Sequence, residues 1–289
     1  MPVPDTLVAP APAKLNLVLE VTGRREDGYH ELDSVLQTLE LADLVTVSLG
    51  GASGVTVSGP FADGTPADES NLAWRAAAEL AERIGRTTDG LGIGLEKHIP
   101  PAGGLGGGAS DAATVLTLLR RCWPEATGDD LLAVANEIGS DEAFFLTGGT
   151  ARARGRGEQV EALPPLGRHA VVLFVPPQTI ERKTARMFEA LDRLPFDTSA
   201  VSAAFARRAP GQFTSADAYN AFERVAFDVF DGLFVLWEDL ETRVGDAVRL
   251  AGAGPTLFWI GALREGRAVA ELTAGSACQV ILTATAGAS

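Results

Sequence analysis

The amino-acid sequence predicts an α+β fold arranged in two lobes. Residues 13–21 alternate in side-chain polarity, as a strand does, with Leu15, Leu17 and Leu19 on one face. Residues 72–84 instead repeat apolar side chains at helical spacing, and strand-like and helix-like segments continue down the chain without an internal repeat. A segment rich in proline and glycine, 163–167, predicts a boundary between an N-terminal domain (1–163) and a C-terminal domain (164–289).

Local signals place the individual elements. Ser70 is the expected N-cap of the first helix and Gly85 its stop, while Asp129 and Asp130 open a later helix that Gly139 ends. The other helices are expected from 114 onwards and over 181–193, 200–208, 217–235 and 263–272. Strands are expected over 13–21, 44–49, 55–58, 91–98, 143–146, 151–154, 170–175, 257–260 and 279–282.

Composition narrows the class of protein. The chain has 289 residues, 46% of them hydrophobic, which is enough for one large core or two medium ones. No apolar run approaches the length of a membrane span, and the N-terminus lacks a signal-like core. The two cysteines, Cys122 and Cys278, form no disulfide framework. We therefore expect a cytoplasmic protein. A monomer or a weak homodimer is the expected assembly.

The charge excludes one class of partner. A formal net charge of −14 disfavours nucleic acid, which needs a basic protein face. Backbone amides and helix dipoles still bind phosphate locally whatever the total charge. Only Lys14, Lys97 and Lys183 are lysines, so each of these three merits attention.

The most informative segment is the glycine-rich run 103–108, which leads into an apolar helix. Five of its six residues are glycine, and glycine allows positive φ and the close approach of a ligand. The helix start adds unpaired N–H groups and the positive end of a dipole. Together they predict an anion cradle, most often used for phosphate.

Two common phosphate loops do not fit this run. A Walker A loop ends in Gly-Lys-Ser/Thr, whereas this loop ends in Gly108-Ala109-Ser110. Residues 104–109 satisfy the pattern G-x-G-x-x-A of a dinucleotide-binding fold, but no second strand ending in an acid follows the helix.

Phosphoryl transfer also needs neutralised charge and a group that orients or deprotonates the attacking hydroxyl. Lys14 and Asn16 share one strand face and could reach one ligand, although a strand lysine is usually a solvated charge. Asp141 is either a turn residue or a carboxylate held as a base.

Three further features have two interpretations each. Tyr29 and His30 suit a flat heterocycle such as a nucleobase, or belong to a packed loop. Ser110 can cap the helix and can also coordinate nucleotide-bound Mg²⁺. The turn Gly252-Ala253-Gly254 is either a second close approach to ligand or a plain turn.

Four segments together resemble the GHMP kinases. They are Pro12-Ala13-Lys14-Leu15-Asn16-Leu17, Arg25-Glu26-Asp27-Gly28-Tyr29-His30-Glu31-Leu32, the loop 100–113, and Gly139-Ser140-Asp141. The first two are similar to those of the member that acts on a cytidine diphosphate-linked methylerythritol in the non-mevalonate isoprenoid pathway. The likeness implies a ribosomal-protein-S5-domain-2-like N-terminal lobe and an α/β-plait-like C-terminal lobe.

This resemblance implies an ATP-dependent kinase, with Mg²⁺ accompanying the nucleotide, that phosphorylates the 2-hydroxyl of that substrate. Asp141 would be the base and Lys14 the lysine that helps to activate the hydroxyl. The residues implied for ATP and phosphate are Gly103, Gly104, Leu105, Gly106, Gly107, Gly108 and Ser110 in the phosphate loop, and Asn71 and Leu72 at the edge of the adenine pocket. Those implied for the substrate are Asn16, Tyr29, which would stack on cytosine, His30, which would hydrogen-bond it, and Phe188, a second stacking ring.

The sequence departs from the family pattern in places. Ala102 stands where glycine is usual, Ala109 where serine is usual, and Glu142 where an apolar residue is usual. Two other functions stay open: a GHMP kinase for another small alcohol such as mevalonate, and a nucleotide-binding regulator without catalysis. An RNA-binding protein is disfavoured by the acidic charge.

Overall fold

A computed structural model describes residues 6–177, 180–207 and 213–287. The strands are β1 (Thr6–Arg24), β2 (His30–Ser48), β3 (Gly54–Ser58), β4 (Gly92–Glu96), β5 (Thr150–Gly155), β6 (Gln159–Ala162), β7 (Ala170–Val175), β8 (Tyr219–Asn220), β9 (Arg249–Leu250), β10 (Leu257–Gly261) and β11 (Gln279–Ala284). The helices are α1 (Leu72–Arg83), α2 (Gly107–Cys122), α3 (Gly128–Ile138), α4 (Glu142–Thr147), α5 (Lys183–Leu191), α6 (Ala200–Ala206), α7 (Ala226–Val229), α8 (Leu233–Val244) and α9 (Gly266–Leu272). The predicted α+β class is confirmed.

The chain divides into two compact units that interleave along the sequence. Unit 1 lies within Met1–Ala13, Leu41–Pro101 and Gly106–Thr147, and unit 2 within Lys14–Glu40, Ala102–Leu105 and Gly148–Ser289. The long strands β1 and β2 therefore each contribute to both units. The domain boundary expected after residue 163 stays a prediction. Residues 148–163 lie in the same compact unit as the residues that follow them.

Unit 1 packs helices against side chains from strands β1, β2 and β4. Strand β4 pairs antiparallel with β2 (Leu44 opposite Glu96) and parallel with β3. Helix α1 presents Ala73, Ala76 and Ala77, all fully buried, to the core that it shares with α2 and α3. Small side chains let the helices approach closely.

Unit 2 is built on a second, antiparallel sheet. Its strand order is β11-β7-β10-β9, and its core takes buried side chains from that sheet and from helices α5, α7, α8 and α9, among them Phe174 and Leu240. The first part of β2 pairs with β5, and β8 pairs parallel with β1 at Val18 and Leu19. These pairings place the middle of β1, with Lys14 and Asn16, inside unit 2.

The elements around residue 141 differ from the prediction. The segment 143–146, expected to be a strand, lies in helix α4, where Phe144 is fully buried and the amide of Phe145 donates to the carbonyl of Asp141. A short apolar run has no periodicity that separates a strand from a buried helix. Asp141 therefore lies between two helices and not at a helix-to-strand turn.

The single helix expected over 217–235 is also wrong. The Asn220 side chain accepts a hydrogen bond from the amide of Phe222, and Gly232 has φ 76°, so the chain forms short turns, the one-turn helix α7 and then α8. Local side-chain bonds and a left-handed glycine both compete with a continuous helix. The helix expected over 200–208 is confirmed as α6; Arg208 lies outside the described residues.

Two predicted caps are displaced. Asn71, and not Ser70, caps α1, because the Asn71 side-chain oxygen accepts from the amide of Ala73. Helix α2 begins inside the glycine run, with Gly106 at its N-cap and φ 74°, so Ser110 lies within the first turn and does not cap it. In the part of the chain that the structure describes, no helix is long and apolar enough to cross a bilayer.

Candidate active site

The glycine run ends in the first turn of α2. The amides of Gly107, Gly108 and Ala109 are therefore among the N–H groups that have no partner within the helix. A helix start with such amides attracts anions, and the dipole adds to that attraction. Gly108 adjoins Leu72, since a Cβ added at Gly108 would lie 3.4 Å from Leu72 Cδ1. The structure thus brings together, within unit 1, one phosphate-loop residue and one residue expected at the adenine.

Ser110 has an unusual environment in that turn. Its side chain is fully buried, and its Oγ has no hydrogen-bond partner among the described residues. A buried hydroxyl left unpaired costs free energy that a bound ligand would recover. This orphaned oxygen fits a role as one ligand of Mg²⁺, which typically takes its other ligands from nucleotide phosphates and water.

Asn71 has its side-chain amide committed to the protein. Its oxygen caps α1, and its nitrogen donates to the carbonyl of Pro66 at 2.6 Å. The residue is buried. It holds the start of α1, with Leu72, in place; direct contact of either residue with adenine stays a prediction.

In unit 2, Lys14 and Asn16 are both buried, at 5% exposure each, so Lys14 is not the solvated charge that a strand lysine usually is. Lys14 Nζ donates to Asn16 Oδ1 at 2.7 Å, and the Lys14 backbone amide donates to the carbonyl of Leu105 at 2.9 Å. The strand residue and the first half of the glycine run are therefore joined directly.

The turn at 251–254 packs on the same place. A Cβ on Gly104, which has φ 85°, would collide with the carbonyl oxygen of Ala251. A Cβ on Gly252 would lie 3.2 Å from Asn16 Oδ1 and 3.4 Å from Lys14 Nζ. This turn is thus a structural partner of the lysine and of the glycine run, and not a plain surface turn.

Sequence reasoning missed the side chain that holds this turn. Asn220 is buried, and its Nδ2 donates to the carbonyls of Leu250 and Gly252 at 2.9 and 2.8 Å. Since Asn220 pairs with β1 at Leu19, it fixes the turn to the strand that carries Lys14. No local sequence signal marks an asparagine whose partners are thirty residues away.

The residues expected to bind the cytosine differ in exposure and in partners. Tyr29 is 52% exposed, and the Arg156 guanidinium lies 5.3 Å from its ring centroid. His30 is largely buried; its Nε2 is 2.6 Å from Asp192 Oδ1, and its ring stacks on Phe188 with centroids 4.2 Å apart. An aromatic surface and a fixed imidazole are therefore present, but Phe188 stacks on His30 itself.

Asp141 is half-buried and directly precedes α4 in unit 1. Gly139, the C-cap of α3, leaves room for the buried carboxylate of Glu142, which any Cβ at 139 would meet. The catalytic roles of Asp141 and Lys14 stay predictions.

A second lysine site was not predicted. Lys97 Nζ donates to Asp43 Oδ2 and Asp111 Oδ2, and all three side chains are buried. Asp43 Oδ1 also accepts from the amides of His98 and Ile99. Burial raises the pKa of Asp111 to about 7, against the lowering effect of the Lys97 charge and with a further increase from Asp43. The scarcity of lysine was the one sequence signal that pointed here.

Among the described residues, no group of three or more histidine, cysteine, aspartate and glutamate side chains is arranged to hold a metal ion.

Comparisons with known proteins show which family the chain is similar to. Residues 71–149 match the GHMP kinases N terminal domain. The chain is 45% identical over 195 residues to a 4-diphosphocytidyl-2-C-methyl-D-erythritol kinase from Saccharopolyspora erythraea, covering 66% of this chain and 61% of that relative. It is 39% identical over 275 residues to the kinase of the same name from Dehalococcoides mccartyi, covering 93% of each. A crystal structure of 4-(cytidine 5'-diphospho)-2C-methyl-D-erythritol kinase aligns with TM-score 0.74 at 35% identity, over 97% of this chain and 100% of that one.

Proposed function

Because this chain belongs to the family of the 4-diphosphocytidyl-2-C-methyl-D-erythritol kinases, we propose that it transfers the γ-phosphoryl group of ATP to the 2-hydroxyl of that cytidylyl alcohol. The reaction belongs to the non-mevalonate route to isoprenoid precursors. The observation that carries the proposal is the relationship at 39% identity over 93% of both chains. The alignment with the S. erythraea relative covers only 61% of that protein. The proposed activity therefore rests on alignments that cover nearly the whole of both chains, such as that with the D. mccartyi relative.

The phosphates bind at the glycine run in this proposal. Free amides in the first turn of α2 donate to phosphate oxygens, and the helix dipole favours their negative charge. Ser110 Oγ holds Mg²⁺ with the nucleotide, which neutralises phosphate charge. Backbone donors explain how a chain of net charge −14 binds a polyanion.

Asp141 and Lys14 act on the acceptor hydroxyl. Asp141 takes the hydroxyl proton as the oxygen attacks the γ-phosphorus, and the bond from that phosphorus to the β–γ bridging oxygen breaks to release ADP. The Lys14 ammonium stabilises the negative charge that develops on the attacking oxygen.

The cytidylyl part of the substrate binds beside Tyr29 and His30. The exposed Tyr29 ring offers a face for stacking, while Arg156 lies against the ring. The contact with Asp192 orients the His30 ring for a hydrogen bond to cytosine. Phe188 supports the His30 ring by stacking on it, and its contact with cytosine follows from the family resemblance alone. Asn16 contacts the substrate close to Lys14.

The test is release of ADP from ATP with the cytidylyl-methylerythritol substrate, beside mevalonate and homoserine as control alcohols. We expect turnover with the first substrate alone. Asp141→Asn should lower kcat by about 10³-fold with little change in KM, because the amide cannot accept the proton. Preference for mevalonate would replace the substrate assignment, ATP binding without turnover on any alcohol would favour a regulator, and an unchanged kcat in Asp141→Asn would remove the base.

A further inference from the structure

A directed chain of hydrogen bonds leads away from the Lys14 ammonium. Lys14 Nζ donates to Asn16 Oδ1 at 2.7 Å, Asn16 Nδ2 donates to Ser34 Oγ at 2.8 Å, and Ser34 Oγ donates to the carbonyl of Val18 at 2.7 Å. Strand β1 supplies three of these residues and β2 supplies Ser34. All four lie in unit 2.

The chemistry of the two ends fixes the direction of every bond. An ammonium has only donors, so the atom of Asn16 that faces Lys14 must be the amide oxygen. A backbone carbonyl can only accept, so the Ser34 hydroxyl must donate its single proton to the carbonyl of Val18. Ser34 Oγ then faces Asn16 as an acceptor, and the Asn16 nitrogen must point to it. The orientation of the amide is thus determined at both ends.

The orientation of the Asn16 amide matters because the side chains involved are buried. Lys14, Asn16 and Ser34 are exposed by 5%, 5% and 4%, so little water is available to replace a lost partner. Buried polar groups that lose a partner rearrange or stay unsatisfied. Without the hydroxyl, the amide nitrogen loses its acceptor, and a rotated amide would turn its donor group towards the ammonium.

Lys14 is also fixed at its backbone. Its amide donates to the carbonyl of Leu105 in the glycine run. The main chain of Lys14 is therefore held by the glycine run. Its ammonium is bonded to Asn16, which is in turn bonded to Ser34. Ser34 thus bears on the position of the ammonium through Asn16.

We propose that Ser34 is a positioning residue, which holds the Asn16 amide in the orientation that keeps its oxygen on the Lys14 ammonium. The inference rests on the proposed function for its effect on phosphoryl transfer. It assigns to Ser34 an influence on kcat and not on the binding of ATP.

The first test compares Ser34→Ala with Ser34→Thr, which keeps the hydroxyl. We expect kcat to fall about tenfold in Ser34→Ala, the loss of about one orienting hydrogen bond, with KM for ATP unchanged. Ser34→Thr should recover most of the rate. If Ser34→Ala does not fold, Ser34→Cys takes its place, because the thiol is close in size and a much weaker partner.

A double-mutant cycle separates positioning from a general structural effect. In an Asn16→Ala background, Ser34→Ala should have no further effect on kcat, because its route to Lys14 is already lost. A full additional tenfold loss in that background would overturn the inference, and so would an unchanged kcat in the single variant.

The second test needs no kinase activity. Lys14 is labelled with acetic anhydride and followed by peptide mass spectrometry, with Lys97 and Lys183 as internal references in the same chain. We expect Lys14 to react several-fold faster in Ser34→Ala than in the wild type or Ser34→Thr, while both references keep their rates. Equal Lys14 rates would overturn the inference. An inactive wild type that keeps the labelling difference would overturn the proposed function and leave Ser34 as the residue that holds Lys14.

Discussion

Lys14 and Lys97 are equally buried, at 5% and 4% exposure, but they have different partners. Lys14 donates to the neutral amide of Asn16, whereas Lys97 donates to the two carboxylates of Asp43 and Asp111. Each is also bonded to a segment in or next to the glycine run. Lys14 is bonded to Leu105 in unit 2, and Lys97 is bonded to the first turns of α2 in unit 1.

The difference shows that burial alone does not reveal the role of a lysine. Desolvation of a charge is costly, and two buried carboxylates offset that cost by compensating the ammonium. A lysine paired in this way holds elements together, here the end of β4, the middle of β2 and the start of α2. The bond from Asn16 orients the Lys14 ammonium, whereas the carboxylates of Asp43 and Asp111 compensate the charge of Lys97. The comparison therefore predicts opposite consequences for removal of the two amines.

The largest effect is expected on turnover. Lys14→Met should lower kcat by about 10³-fold, since it removes the charge proposed to stabilise the attacking oxygen. The apolar part of the side chain is retained, so the midpoint of urea unfolding should move little. Steady-state kinetics and urea titration of the same preparation test both parts. A large loss of stability with proportionate loss of activity would erase the contrast with Lys97.

Lys97→Met should act on stability. It leaves Asp43 and Asp111 buried without their cation, which costs about 3 kcal/mol or more in the free energy of unfolding. Urea unfolding measures it, with Lys183→Met on α5, which is only half-buried, as the matched control. If the Lys97 variant were as stable as the control, the bonds of Lys97 to Asp43 and Asp111 would not stabilise the fold, and the contrast with Lys14 would be lost.

The pH dependence of stability sharpens the comparison further. Burial raises the pKa of Asp111 from 3.8 to about 7, so between these pH values the folded chain binds a proton that the unfolded chain has lost. Stability from this group is therefore present at low pH and declines as pH rises through that window. Asp111→Asn removes the titration. We expect the variant to gain about 4 kcal/mol relative to the wild type from the acid to the neutral end of this window, measured by urea unfolding at a series of pH values. A constant difference would contradict the raised pKa.

The smallest effect concerns the unit 2 half of the run. Ala102 has φ 57°, a left-handed conformation that favours glycine, at the position where the family pattern has glycine. Ala102→Gly should raise the free energy of unfolding by up to about 1 kcal/mol. Ala109→Gly, in the helical first turn of α2, is the matched control and should lower it by a similar amount. Thermal unfolding measures both; destabilisation by Ala102→Gly would show that its backbone conformation carries no strain.

Much of the fold could be predicted from local patterns. The strand at Lys14, the helix ended by Gly139 and the strands β7 and β10 all have periodicity or caps in the sequence. The failures have physical reasons. The run 143–146 is too short for its period to be read, and Asn220 and Gly232 break a helix that the apolar pattern alone would continue.

The site could be predicted in part. The glycine run, Lys14, Asn16, Tyr29 and His30 stand in recognisable motifs. Ser34 and Asn220 do not, because their significance comes from partners on other strands. Nor does any sequence signal say that the Ser110 hydroxyl is left unpaired. Such facts depend on pairings between distant segments, which a single sequence does not encode locally.

The contact of Gly104 with Ala251 has a consequence for the making of the protein. These glycine-lined turns fit because neither has a side chain in the way, yet some hundred and fifty residues of chain separate them. During synthesis, the earlier turn leaves the ribosome long before its partner exists. The cradle proposed for the nucleotide can therefore reach its final form only after residues 251–254 have been synthesised, and the nascent chain has no finished cradle before then.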